Sequence, residues 1–341
     1  MKYKIVLPVL FIYFIFANSA FSIGIAKYAG EFLSMGVGAR SLGMGSAYVA
    51  LGGDVTYGYW NPAGLANIQY PEISAMHSRR FGGIVNYDYA GFAMPFRGNA
   101  SLGLNLIRVA VDDIPIPVLP RPDLGLDQSY TDENGNIVSN RPYVDRYVNN
   151  ADYAIFLSYA RQKSRAFAYG ANAKFIRRGV GDNSAWGIGF DIGALWRPVD
   201  KLTLGANFQD VTTTLLAWDT GTQELISPTL KTGFGYSIDL GFISSTLLIA
   251  GDTDIRFENR KFASQLNAGP VSFDFHAGTE LLVHNLIALR VGDDLGNLTA
   301  GAGIRLPRLD IDYAFLSNDD FKVTHRVSLR LRIEESRFER Q

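Results

Sequence analysis

From residue 71 to the carboxyl end, apolar and polar positions alternate with period two, the pattern of strands whose faces meet unlike surroundings, and short turn signals break the runs. The pattern predicts fourteen strands, near 71–80, 87–96, 99–110, 152–162, 165–177, 185–197, 200–210, 229–238, 245–257, 272–283, 286–293, 298–306, 309–317 and 322–333. Late in the chain, Val323, Val327, Leu329, Leu331 and Ile333 share one face, broken only by His325. Arg326, Ser328, Arg330 and Arg332 share the other. Leu309, Ile311, Tyr313 and Phe315 oppose Asp310 and Asp312, so adjacent strands should set both aspartates against the arginine row. Trp186, Ile188, Phe190, Ile192 and Trp196 likewise stand opposite Gly187, Gly189, Asp191, Gly193 and Arg197.

Alternation alone does not say which face looks inward. The polar faces carry Gly, Asp and Arg where a solvated sheet would carry Thr and Lys, and Trp186, Trp196, Tyr153 and Tyr159 fall near strand ends on the apolar side, as in interfacial girdles. Connections sort by length as well: the long ones, 111–151, 211–228 and 258–271, all occupy odd positions, whereas the even ones are as short as "RGN", "KS", "PVD" and "HN". Long loops on one side and tight turns on the other, with an even strand number, predict an all-β fold. The expected form is a transmembrane antiparallel β-barrel in the outer membrane of a diderm bacterium, with outer-membrane lipid as a partner and both termini periplasmic.

Ahead of the strands, residues 1–22 read as a signal peptide: Lys2 and Lys4, an apolar run from Ile5 to Phe16, then small residues for cleavage after Ser22. Residues 23–70 are a glycine-rich plug segment, 71–334 the barrel and 335–341 a tail. The chain has no Cys, which removes disulfides and thiolate metal sites, and a formal net charge of -1 gives no electrostatic case for nucleic acid.

The stretch "GEFLSMGVGARSLGMGSAYVALGGDVTYGYWNPAGLA", residues 30–66, resembles the amino-terminal signature of the PorV/PorQ family of outer-membrane proteins associated with type IX secretion. The resemblance is carried by Phe32-Leu33, Met35 to Arg40, Leu42 to Gly45 and Trp60 to Leu65. That family is similar in turn to the FadL-like long-chain fatty-acid transporters, which also place an Asn-Pro-Ala-Gly element before the barrel. The resemblance implies a fourteen-stranded barrel, matching the strand count read independently. Physically, Asn61 can cap a short helix with Pro62 at its first position, and Gly36, Gly38, Gly43 and Gly45 permit close backbone approach or positive φ. With Arg40 and Gly64 these residues form the plug-and-corner set. The leader is expected to fold into or across the periplasmic end of the barrel, with "WNPAGLA" turning it into the first wall strand.

Candidate chemistry is sparse. "MGVGARSLGMG" lacks both dinucleotide-loop spacing and a following βαβ unit. In "TDENGNIVS", Gly135 is misplaced for a calcium loop, so a hairpin turn at Asn134-Gly135 is expected. His276 shares a polar face with Asp274 and Glu280 and could join them in one lumenal cluster, but no nucleophile motif accompanies it; neither enzyme activity, cofactor nor metal is expected. Asp191, Asp274, His276, Arg305, Asp310, Asp312, Arg326 and Arg330 are read as lumen charges, as are Asp252, Asp254 and Arg256. In the first long loop, prolines from Pro115 to Pro122 favour polyproline-II-like backbone, leaving Ile114, Ile116, Val118 and Leu119 exposed unless they dock on something.

Two functions follow. The first is a PorV/PorQ-like barrel that binds secreted proteins or secretion-system components through external loops. The second is a FadL-like channel for hydrophobic ligands, ranked lower because the polar faces are charged and glycine-rich.

Overall fold

The computed structural model describes residues 30–258, 260, 264–317, 323–335 and 338–340, and the expected signal peptide lies outside them. Fourteen wall strands follow the plug: β1 (Glu72–Arg80), β2 (Val85–Phe96), β3 (Ala100–Val118), β4 (Tyr143–Ser164), β5 (Phe167–Val180), β6 (Asn183–Val199) and β7 (Leu202–Gln209). The second half is β8 (Thr229–Leu240), β9 (Ser245–Arg256), β10 (Val271–Val283), β11 (Ile287–Asp294), β12 (Asn297–Arg305), β13 (Leu309–Leu316) and β14 (Thr324–Arg332). Each pairs antiparallel with its neighbours, and β1 pairs with β14 from Glu72↔Arg332 to Arg79↔His325, closing the cylinder without a free wall edge.

The inside-out reading is decided at β14. Arg326 is 1% exposed, while Leu329 and Leu331 are 46% and 45% exposed on the outer wall. Trp186 and Trp196 stand on the outer face of β6 with Ile188, Phe190 and Ile192 between them. Their spacing of ten residues corresponds to ~33 Å along a strand, or about 25 Å across the membrane at ~40° tilt, the height of an outer-membrane apolar band. No helix among the described residues is long and apolar enough to cross a membrane, so the strands make the span.

Strand ends differ from expectation mainly at the external rim. β3 and β4 continue far beyond the predicted 110 and 152 as a protruding ribbon, in which Pro115 pairs with Tyr147 and Pro117 with Val144. Of the stretch expected to be polyproline-II-like, Pro115 to Val118 is therefore strand, and Leu119 to Pro122 lie beyond it. Register shifts at Val111/Ile114 and Ile116/Pro117 accommodate the prolines, which lack an N–H and are tolerated at bulges and edges. At its tip, Ser129–Thr131 and Ile137–Ser139 form the expected hairpin, where the Asp132 carboxylate accepts the N–H groups of Asn134 and Asn136. β7 is short, and a hairpin of Thr214–Trp218 and Gln223–Ile226 takes over pairing with the outer end of β6 through Leu215↔Ile188.

The core is the lumen itself. Residues 30–71 fold into short turns and helices, including α1 (Ala39–Gly43) and α2 (Tyr57–Trp60), and bury Val37, Tyr48, Tyr57, Tyr59, Trp60 and Leu65 against wall residues such as Tyr89, Ile107 and Phe156. This plug reaches further than the periplasmic end where it was expected. Glu31 meets Arg256 and Arg260 at the external end, and the Asn61 amide reaches the Ala194 carbonyl near the periplasmic end of β6.

Candidate functional site

The plug is seated by two unlike kinds of contact. On the β10–β14 side they are ionic. Arg40 of α1 grips Glu280 bidentately, with Nε and Nη2 each 2.8 Å from a carboxylate oxygen. Arg290 and Arg305 converge on the same carboxylate at 2.6 and 2.7 Å, and Arg290 also holds Asp312 at 2.7 Å. Arg330 pairs with Asp310 and lies 3.7 Å from Asp54 of the plug and 3.8 Å from Glu72. Burial alone would raise the Asp54 carboxyl, but Arg330 and Arg40 beside it hold it below its ordinary value. Tyr48 donates to Asp54 at 2.6 Å, and its own hydroxyl is pushed far above the ordinary tyrosine range, chiefly by burial.

On the β3–β7 side the contacts are amide and aromatic. Asn61 is the N-cap of a 3-10 helix, Pro62–Asn67, accepting from the Ala63 N–H at 3.2 Å, with Pro62 at the first position. The same side chain donates to the Val49 and Ala194 carbonyls, tying the corner to plug and wall together. Asn172 and Asn207 donate to the carbonyls of Gly58 and Trp60 at 2.8 and 2.9 Å. From β9, Asp252 accepts the N–H groups of Tyr48 and Val49.

Inward glycines make the close approach possible. A Cβ on Gly278 would lie 2.1 Å from the Met44 carbonyl oxygen, and one on Gly193 would lie 2.1 Å from the Asn61 side-chain oxygen. Gly45, at φ +63, passes so near β10 and β11 that its own Cβ would meet backbone at 2.3 Å. Gly36 and Gly38 also have positive φ, Gly43 abuts Arg290 and Gly301, and Gly64 packs under the Tyr57 ring.

Asp191 and Asp210 share Lys174 at 2.8 and 2.7 Å; this buried lysine was missed, although the alternation of its strand already places it inward. Arg326 donates to the Met35 and Gly38 carbonyls and stacks over Tyr87, so of the predicted aspartate–arginine pairs only Asp310 with Arg330 and, at 3.6 Å, Arg332 form. Asp274, His276 and Glu280 do not make one cluster. Inward residues two apart lie ~6.6 Å from each other along a strand, and each finds its own neighbour. Asp274 pairs with Arg260 at 3.1 Å, His276 with Asp294 at 2.9 Å, and Glu280 with the three arginines. Ile114, Ile116, Val118 and Leu119 are half-buried in and just beyond the ribbon strand, while its partner strand leaves Tyr143 and Tyr147 exposed.

Two cavities flank the plug's outer end. One, of about 170 Å³, opens between the plug, strands β8–β11 and the outer ends of β1, β13 and β14. The other, of about 50 Å³, lies between Gly30–Ser34 and the wall near Ile226 and Thr229. There the Gln223–Ile226 strand pairs only with its own hairpin partner among the described residues.

The barrel architecture recurs among solved structures. The chain is similar to the CymD monoaromatic hydrocarbon channel, with a TM-score of 0.58 and 12% identity over 88% of this chain and 98% of that one. The Ralstonia pickettii toluene transporter TbuX gives 0.56 at 12% identity over 87% and 98%, and a Pseudomonas aeruginosa FadL homologue gives 0.50 at 12% over 87% and 98%. The fold is FadL-like. No family model and no curated protein matches the sequence. What the FadL-like structures share with this chain is the architecture, and it places the protein in the outer membrane.

Proposed function

We propose that this FadL-like barrel is an outer-membrane channel for small hydrophobic molecules, closed by its own plug. The observation that carries the reading is the likeness to CymD and TbuX, named as a hydrocarbon channel and a toluene transporter, over 88% and 87% of the chain. The charged inward faces that ranked this function second are engaged in seating the plug, so they describe the seal and not the passage. Displacing the plug's first residues next to the edge of Gln223–Ile226 that is unpaired among the described residues would open a route past the wall. The test is uptake of toluene by proteoliposomes containing the full mature chain. Uptake faster than into protein-free vesicles is expected, and equal rates would overturn the reading.

A second reading, the PorV/PorQ-like binding of secreted proteins or secretion components, draws on the external ribbon. Tyr147 is 64% exposed there and Tyr143 54%, a surface suited to protein contact. Crosslinking from Tyr147 in intact cells, with loss of adducts when 119–142 is deleted, would favour it over a purely solute-handling role.

A further inference from the structure

The cavity at the outer end of the plug is unlike a hydrocarbon pocket. Its lining includes the cations Arg80, Lys231, Arg256 and Arg260 together with Leu42, Trp60 and Leu316. Its four carboxylates are all engaged. Asp254 pairs with Lys231, Asp294 with His276 and Ser46, and Glu31 and Asp274 are shared between Arg256 and Arg260. Arg80 at the tip of β1 is different. It lines the same cavity with no carboxylate within ion-pair distance among the described residues, and its Nε is buried without a hydrogen-bond partner. The Nε of Arg260 is also buried without a hydrogen-bond partner, and that of Arg256 has only Asp274, at 3.9 Å. Arg80 is half-buried and its guanidinium stacks over Phe81, but an Nε donor shut away from water without a partner is costly, and one planar anionic group would satisfy it.

We propose that this cavity binds a small organic monoanion, an aromatic or short aliphatic carboxylate, with its charge on Arg80 and its apolar body against Leu42, Trp60 and Leu316. The volume agrees: about 170 Å³ is the scale of an apolar cavity, ~150 Å³, that accepts benzene. A neutral hydrocarbon would leave the Arg80 Nε without a partner. The assignment deepens the channel reading and rests on it only for what happens to the molecule after binding.

Isothermal titration of the full mature protein in detergent, with benzoate and toluene as probes, tests it. Benzoate is expected to bind about tenfold or more tightly than toluene, and Arg80→Gln to weaken benzoate by about tenfold or more while leaving toluene unchanged. Arg80→Lys, keeping charge without the planar fork, should retain part of the affinity. Folding of each variant is checked by the mobility difference of boiled and unboiled samples on gels. If Arg80→Gln does not fold, Arg260→Gln, on the external loop, takes its place and should also weaken benzoate. Absent benzoate binding, equal affinity for toluene, or full affinity in the folded glutamine variant would overturn the proposal. Benzoate binding without toluene uptake into vesicles sinks the channel reading alone, and uptake without benzoate binding sinks the site alone.

Discussion

Glu280 is the residue on which most of the ionic seat converges, because Arg40, Arg290 and Arg305 all point at one buried carboxylate. Removing it takes a carboxylate from three guanidiniums at once, leaving Arg290 with Asp312 and Arg40 with Asp54 at 3.9 Å, whereas removing Arg40 leaves Glu280 with two arginines. Breaking a buried pair from one side costs about 3–5 kcal/mol. Glu280→Gln is therefore expected to loosen the plug more than Arg40→Ala, read as faster hydrogen exchange of residues 39–49, and the reverse order would refute the seat as described. Asp54 adds a pH dependence whose sign follows from its depressed carboxyl. Its contribution is complete above the ordinary value of 3.8 and is lost as pH falls through the lower folded value. Plug protection should thus hold from neutral pH to about 4 and drop below that, and Asp54→Asn should show the loosened state already at neutral pH.

At the scale of elements, the inward glycines convert a wall into a socket. Gly278→Ala drives a methyl into the Met44 carbonyl and should lower stability by about 1–3 kcal/mol, as overpacking does. Gly241→Ala, in a periplasmic turn with nothing within 4 Å of the added carbon, should be close to neutral. Thermal unfolding midpoints of the two variants, followed by tryptophan fluorescence, check the contrast. The glycines were visible in the sequence as a feature of the polar faces. Their purpose was not, because a close approach involves a second chain segment that local alternation does not encode. The same limit applies to the first long loop: Pro115 to Pro122 argue locally for extended unpaired backbone, yet as far as Val118 pairing with Tyr143–Val148 prevails and bulges absorb Pro115 and Pro117.

Over the whole molecule, a closed cylinder filled by its own leader accounts for both the buried charge and the absence of disulfides. Closure satisfies every wall strand, and the plug supplies the apolar centre that the lipid-facing side chains cannot. Deleting residues 30–66 should leave a water-filled barrel lined by charge, as in porins, with single-channel conductance in planar bilayers well above that of the intact chain. A folded deletion variant that conducts no better would show that the leader is not the seal.

The sequence by itself determined the strands, their facing and the membrane they cross, since period-two alternation and loop-length asymmetry are written residue by residue and respond to the solvent on each side. It also marked Asn61-Pro62 as a corner, because capping is local. Only the tertiary structure decided how far the leader runs, that Arg326 serves plug carbonyls and not aspartates, and that Asp274, His276 and Glu280 separate. Those outcomes depend on which side chain lies across the lumen, a distance set by closure of the whole barrel and by the segment that fills it.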